Sequence, residues 1–369
     1  LKHNVKLETS SSYDIDIIVN LFENNKISKD IYIINNGIKT KEQLEKILHL
    51  YSLGFTNVIV VLDSKNELNR LLSISKQYKV KIGLRLSTDN SRFGIDKSEI
   101  VDFYNKNIAN NINVELNMLH FFLDSGIADS ENYWEIFNDA ILTYIKLKKI
   151  CNSLDNFNIG GGFPIGNDLK NIISYENIIN KVIYTLSDNF NKQKINHPNI
   201  FTEFGKYTVA ESGAIIYKLI EKKQKNNACW YIINNSFMTT IPDSWTIKEN
   251  FTLLPINKWN NNFINVRLGG MSCDNYDNFT DKPIALPEVN LDKEDSLYIG
   301  VFNTGAYQDA LSGYGGIKHC LIPSPKQIIL YKDNNGNIKD YVFKEKQSSN
   351  DMLSILGYKK SNKNLPTNK

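Results

Sequence analysis

The stretch Asn158-Ile159-Gly160-Gly161-Gly162-Phe163-Pro164 is the part of the chain best equipped for chemistry. An apolar run carrying Phe157 and Ile159 stops in three glycines, and past Pro164 the apolar spacing turns helical through Leu169, Ile172, Ile178 and Val182. Strand, glycine-rich turn and helix together aim bare backbone N–H groups at an anion, with the helix dipole adding positive potential. Glycine lets the chain approach a phosphate closely and take positive φ. The spacing is neither G-x-G-x-x-G nor G-x-x-x-x-G-K-[ST], so a dinucleotide or a nucleoside triphosphate is not the natural ligand. A ligand-free tight turn would use the same residues.

Other polar residues stand where apolar runs end: Glu8, Asn36, Arg85, His120 and Glu203. Each alone is unremarkable. A single histidine after an apolar strand is commonly a hydrogen-bonded core residue, and a strand-end glutamate often only caps or pairs. Together, a phosphate-binding turn, a flat imidazole and a carboxylate one strand further on read as a pocket for a phosphorylated aromatic cofactor. Pyridoxal 5'-phosphate needs these parts. Its phosphate takes backbone donors and its ring a flat face. Its pyridine nitrogen takes a carboxylate, because protonation there makes the ring an electron sink for a carbanion.

The elements that must position these residues alternate from Val5 to about Phe204. Apolar runs at 5–8, 31–34, 57–62, 80–87, 116–122, 157–160 and 200–203 read as strands, most of them followed by helical spacing. Near-continuous apolar strands joined by helical crossovers imply a parallel sheet covered by helices. Seven such units fit an α/β fold of the (β/α)8, TIM-like barrel type that lacks its first strand in this chain. A doubly wound open sheet is the alternative. The chain begins at Leu1 in what reads as structure, and we expect a further strand upstream of it.

After Tyr207 the rhythm changes. Runs at 214–219, 230–233, 263–268, 296–302, 327–331 and 340–343 are strand-like, and Asn335-Gly336 is a hairpin signal. Helical spacing returns only at 351–356. The expected organisation is a cofactor-binding barrel over 1–206, a C-terminal mainly β domain over 207–345, and a short helix with a polar tail over 346–369.

Composition narrows the function classes. With 369 residues, 41% of them hydrophobic, the chain can bury a large core. Lys+Arg 43 against Asp+Glu 40 leaves a formal charge of +3, no surplus for a nucleic-acid partner. Cys151, Cys229, Cys273 and Cys320 are far apart with neither CxxC nor zinc spacing, so a reduced, cytoplasmic protein is expected, with no metal site assigned. No apolar run approaches a membrane span and no signal peptide is seen, so neither membrane nor secretion is expected.

Gly160-Gly161-Gly162-Phe163-Pro164, Thr202-Glu203-Phe204-Gly205 and Gly305-Ala306-Tyr307 resemble the fold-type III pyridoxal-phosphate decarboxylases of basic amino acids, which act on ornithine, arginine or diaminopimelate. Leu7-Glu8-Thr9-Ser10-Ser11, Asn36-Gly37-Ile38-Lys39, Gly83-Leu84-Arg85, Pro242-Asp243-Ser244-Trp245 and the stretch 305–325 sharpen the likeness toward biosynthetic arginine decarboxylases. It runs from about Val5 to Tyr358. The resemblance implies a barrel followed by a β domain, decarboxylation of L-arginine to agmatine and CO2 in polyamine synthesis, and a homodimer with active sites at its interface. It implies that Gly160, Gly161, Gly162 and Tyr307 hold the cofactor phosphate, with Ser125 touching it. Glu203 would pair with the pyridine nitrogen, His120 stack on the ring, and Arg85 orient the cofactor. Cys273 and Asp274 match the family's Cys-acid pair, in which the cysteine protonates the carbanion and the acid meets the substrate's distal cation across the dimer interface.

Three departures accompany the likeness. The family commonly carries Pro-Gly-Arg after the glutamate; here Phe204-Gly205-Lys206 supplies a lysine, a point charge without a bidentate fork. Asn158-Ile159 stands where Asp-Ile is common. The Schiff-base lysine belongs at the end of the first barrel strand, which we expect upstream of Leu1; Lys6 and Lys39 match non-catalytic positions and are not assigned the role. Magnesium is left open as an accessory ion with no residue assigned. The rival readings are ornithine or diaminopimelate decarboxylation, and a non-catalytic homologue that binds or regulates. Aspartate at 274, where diaminopimelate enzymes tend to carry glutamate, argues against that substrate.

Overall fold

A computed structural model describes residues 5–75, 77–88, 91–123, 126–127, 131–166, 173–225, 227–291, 296–311 and 320–358. The chain divides into two compact units, residues 1–164 with 173–204, and residues 165–172 with 205–369.

The first unit is built on strands β1 (Leu7–Thr9), β2 (Ile33–Asn35), β3 (Val58–Leu62), β4 (Val80–Arg85), β5 (Val114–His120), β6 (Asn156–Asn158) and β7 (Asn199–Phe201). They pair in chain order, all parallel, in one sheet. Helices α1 (Ser12–Glu23), α2 (Lys41–Ser52), α3 (Lys65–Ile74), α4 (Ile100–Asn107), α5 (Glu131–Lys148) and α6 (Tyr175–Lys192) make the crossovers. Seven strands are one fewer than a closed (β/α)8 barrel, and β1 and β7 are the edges of the sheet. The sheet is nevertheless curled. Tyr32, just before β2, packs edge-on against Phe201 of β7 with ring centroids 5.0 Å apart.

The period of two along each strand divides its apolar run between two cores. Ile33, Val58, Val60 and Leu62 face the helices and join the large core that includes Leu44, Ile47, Leu68 and Leu71. Ile34, Ile59, Val61 and Met118 point to the inner face, where Tyr32 and Phe201 complete a smaller core. Burial on both faces is why these strands read as unbroken apolar runs.

One expectation about the glycine turn needs correction. Helix α6 begins only at Tyr175, so the turn does not open directly into a helix. Pro164, which has no N–H and restrains the residue before it, follows the turn, and residues 167–172, where Leu169 and Ile172 were expected to begin the helical spacing, lie outside the described residues.

The second unit holds β8 (Ala214–Lys225), β9 (Ala228–Ile233), β10 (Leu253–Pro255), β11 (Phe263–Gly269), β12 (Ile284–Pro287) and β13 (Tyr298–Phe302), preceded by the short helix α7 (Gly205–Val209). Their sheet order is β10-β13-β8-β9-β11-β12, antiparallel except for the β9–β11 pair. A separate hairpin, β14 (Gln327–Lys332) and β15 (Ile338–Lys344), turns at Asn335-Gly336, with Gly336 at φ +81°. Several short elements were not anticipated, among them β10, β12 and the helices α8 (Phe237–Thr240) and α9 (Pro242–Thr246). Both strands are three or four residues long and end in proline, and each helix is a single turn, too short to show a period. Two later helices, α10 (Gln308–Leu311) and α11 (Ser349–Ile355), follow.

Candidate active site

Parallel pairing aligns the strand ends, and so aligns the residues that follow them. Arg85 lies opposite His120 in the β4–β5 register, and His120 opposite Asn158 in the β5–β6 register. The glycine turn follows Asn158, whose Oδ1 accepts the Gly160 N–H at 2.9 Å. Gly160 O in turn accepts the Glu203 N–H at 2.8 Å, which ties the turn to the end of β7.

The glycines are required by space as well as by φ. Gly160 and Gly162 sit at φ +67° and +84°. A Cβ on Gly162 would stand 2.5 Å from Gly126 Cα, and one on Gly160 2.7 Å from Phe121 O. The amides of Gly161 and Gly162 donate to no described residue, and Gly162 is open to solvent. Two such N–H groups in a bare turn are donors for an anion.

Glu203 gathers three partners from three different strand ends. Its Oε1 accepts from Asn36 Nδ2 at 2.8 Å and from Asn158 Nδ2 at 2.7 Å, and its Oε2 lies 3.6 Å from His120 Nε2. Burial alone would push the carboxyl up; the His120 charge and the two amide donors outweigh it and hold it at about 2. His120 is buried, and neither ring nitrogen has a hydrogen-bond partner among the described residues. A buried imidazole with unused nitrogens beside an ionised carboxylate can present a flat face and a fixed negative charge to a planar cation.

Asn36 Nδ2 also donates to Glu8 Oε1, at 3.1 Å. Crowding by protein is the largest influence on Glu8 and the Glu203 charge the next; they raise its carboxyl to about 7, against the Asn36 hydrogen bond. Solvent reaches part of Glu8 and softens the shift without reversing it.

Arg85 is braced from two sides. Its guanidinium lies 3.7 Å from Asp63 and 4.4 Å from the centroid of the Phe93 ring. Asp63 is fixed through its own N–H, which Glu67 accepts at 2.5 Å. Glu67 also accepts the Lys39 N–H at 2.6 Å and faces the Lys39 ammonium at 3.5 Å. Lys39 is fully buried and donates to Gly37 O and Val61 O. Burial pushes its ammonium down, Glu67 opposes, and the side chain is committed to protein oxygens.

The remaining candidates lie in the second unit, apart from Ser125, which lies outside the described residues together with Asp124 and residues 312–319. Lys206 pairs with Glu249 at 2.7 Å. Tyr307 takes a left-handed backbone, φ +65°, between Gly305 and Gln308. Gln308 Nε2 donates to buried Asp243 at 2.9 Å, so the Gly305-Ala306-Tyr307 and Pro242-to-Trp245 motifs are bonded to one another. Cys273 and Asp274 share an exposed turn organised by Asp277, whose carboxylate accepts from the N–H groups of Phe237 at 2.9 Å and Ser272 at 3.2 Å. Asp274 Oδ1 accepts the Tyr276 N–H at 2.7 Å. Cys273 Sγ lies 3.3 Å from Cys320 Sγ.

Sequence reasoning did not assign Asp63, Glu67, Asp277, Gln308 or Cys320 any part. Asp277 alone offered a hint, as a second acid close to Cys273-Asp274. The others act on partners far away in sequence.

Residues 2–210 match the pyridoxal-dependent decarboxylase family through its pyridoxal binding domain, and the chain belongs to that family. Among curated relatives it is similar to the biosynthetic arginine decarboxylase of Prochlorococcus marinus (strain AS9601), 24% identical over 486 residues that take in 96% of this chain and 73% of the relative. Among solved structures it is similar in fold to the biosynthetic arginine decarboxylase of Campylobacter jejuni, with a TM-score of 0.82 and 21% identity over 97% of this chain and 75% of that one. The diaminopimelate decarboxylase of M. jannaschii gives 0.79 at 18% identity, over 96% and 79% of the two chains.

Proposed function

We propose that this chain carries the cofactor pocket and the substrate-reading loop of a decarboxylase that converts L-arginine to agmatine and CO2, for polyamine synthesis. The observation that carries the reading is the Glu203 carboxylate, which accepts from Asn36 and Asn158 and lies 3.6 Å from the buried His120 imidazole. Pyridoxal phosphate fits the residues present. The free amides of Gly161 and Gly162 suit phosphate oxygens, Glu203 suits a protonated pyridine nitrogen, and His120 suits the ring face. When bound, the cofactor supplies a sink for the electron pair left at Cα as CO2 departs.

The chain's own residues do the rest of the proposed work. Glu203 keeps the pyridine nitrogen protonated because no proton transfer to a carboxylate so strongly stabilised is favourable near neutral pH. His120 shields one ring face from water. Arg85, clamped by Asp63 and Phe93, orients the cofactor. Tyr307, Lys206 and Ser125 complete the proposed phosphate shell. Cys273 returns a proton to Cα. Asp274 meets the arginine guanidinium, a cation that needs an acid once water is removed. The proposal includes a cytoplasmic homodimer with Asp274 reaching the neighbouring site. The four free cysteines fit a reducing compartment, and no helix among the described residues is long and apolar enough to cross a membrane. Magnesium has no donor set among the described residues, where no three His, Cys, Asp or Glu side chains group as ligands.

The names of the relatives and the aspartate at 274 favour arginine over diaminopimelate. CO2 release from arginine, ornithine, lysine and diaminopimelate, measured in parallel, should rank arginine first; preference for any other overturns the assignment. Asp274→Ala should raise KM for arginine by about tenfold or more, since the guanidinium loses its charged partner. Unchanged KM and kcat would remove Asp274 from the site.

A further inference from the structure

We propose that Cys273 and Cys320 form an oxidative modification site, a thiol pair that a peroxide converts into an intrachain disulfide and a dithiol restores. Their Sγ atoms lie 3.3 Å apart, both residues are exposed, and neither is in a disulfide. A disulfide requires about 2.05 Å, so the sulfurs need approach by only about 1.3 Å. Both belong to the second unit, so no movement between units is needed. The two sides differ in a useful way. The Cys273 turn is pinned by Asp277, which takes the Ser272 N–H, and by Gly270, whose N–H donates to Asp277 O at 2.7 Å. The Cys320 turn instead holds two consecutive non-glycine residues in left-handed backbone, Cys320 at φ +59° and Leu321 at φ +47°. That conformation is costly for residues with a side chain, and such strain clusters where a side chain is held for a purpose.

The chemistry closes without further reactants. One thiolate attacks hydrogen peroxide, the O–O bond breaks, and a sulfenic acid forms as water leaves. The second thiol displaces that hydroxyl as a second water and forms the S–S bond. The two sulfurs give up two electrons and the peroxide accepts them. In the reverse direction a dithiol of the thioredoxin class returns both electrons through a mixed disulfide. In a reducing compartment such a bond is transient and registers oxidant. Its consequence for catalysis rests on the proposed function: the bond consumes the thiol proton that Cys273 would deliver, while Cys320 takes no part in the reaction.

The test treats the protein with hydrogen peroxide, blocks remaining thiols with iodoacetamide, and maps peptides without reduction. We expect a peptide joining Cys273 to Cys320 that disappears with dithiothreitol, with Cys151 and Cys229 alkylated. Decarboxylation should fall with the cross-link and return on reduction. Cys320→Ser should keep basal turnover but lose activity to peroxide irreversibly, because Cys273 then oxidises past the sulfenic acid. Separate alkylation or oxidation of the two thiols in the wild-type protein overturns the site, as does a bond between chains on a non-reducing gel. The mapping needs no turnover, so a protein that cross-links yet fails to decarboxylate arginine leaves the site standing and removes only the function proposed above.

Discussion

Glu203 and Glu8 belong to opposite edges of one sheet and share one hydrogen-bond donor, yet their protons are driven in opposite directions. Asn36 Nδ2 reaches both carboxylates, at 2.8 Å and 3.1 Å, one for each amide hydrogen. Crowding by protein pushes both groups up, Glu203 as an enclosed carboxylate and Glu8 as a solvent-exposed one. What separates them is the count of partners. Glu203 also has Asn158 and His120 and is held at about 2; Glu8 has no such help, faces the Glu203 charge, and sits at about 7. The carboxylate with most donors becomes a permanent charge, and its neighbour becomes a titrating group as a consequence.

Removing the charge on the favoured side should have the largest effect. Glu203→Gln keeps the shape and most hydrogen bonds, but a neutral amide cannot keep a pyridine nitrogen protonated. Turnover should fall by at least about 10²-fold with cofactor still bound. Near wild-type turnover at full cofactor occupancy would exclude Glu203 from this role. The same substitution should lower the Glu8 pKa, since the second cause of its rise is gone; carboxyl chemical shifts followed against pH read this directly.

Removing the shared donor comes next. Asn36→Ala leaves two carboxylates facing each other without the amide between them. We expect a loss of about 1–3 kcal/mol in stability at neutral pH. Asn36 Oδ1 is buried with no partner among the described residues, so the loss is carried by Nδ2. Urea unfolding that gives equal midpoints for variant and wild type would mean that the bridge holds nothing.

The contrast between the two glutamates was only half legible in the sequence. Both stood visibly at the ends of apolar runs, as did His120 and the glycines, because a parallel strand buried on both faces announces its end by its first polar residues. The barrel order followed from the same pattern. The bridging role of the asparagines was hidden. Asn36 stood out only as one polar strand end among several, with nothing to show that it joins two carboxylates, and Asn158 registered only as a departure from Asp. The shift in Glu8 depends on Glu203, most of a barrel later in sequence. The Lys39–Glu67 pair and the Cys273–Cys320 contact are likewise products of folding, joining residues 28 and 47 positions apart. Strand β8 runs on to Lys225 through Glu221, Lys222 and Lys223, where composition alone would end it, because its ladder with β9 fixes the backbone.

The smallest expected effect is the most specific, because it separates the two glutamates by pH. Glu8 rises from 4.5 to about 7 on folding, so between those values the folded state binds more protons than the unfolded one. Stability therefore falls as pH rises through that window, and the penalty is complete above about pH 7. Glu203 has the opposite sign. Its pKa is depressed from 4.5 to about 2, so its contribution is present above 4.5 and is lost as pH falls toward 2. Glu8→Gln should remove only the first limb. The variant should be more stable than wild type above pH 7, with the gap closing as pH falls to 4.5. Because solvent reaches Glu8, screening keeps that gap below about 1 kcal/mol. The acid limb, from 4.5 down to 2, should be unchanged. Unfolding free energies measured across both windows decide the matter: curves that run parallel from 4.5 to above 7 would show that Glu8 titrates normally, and that crowding and the Glu203 charge do not reach it.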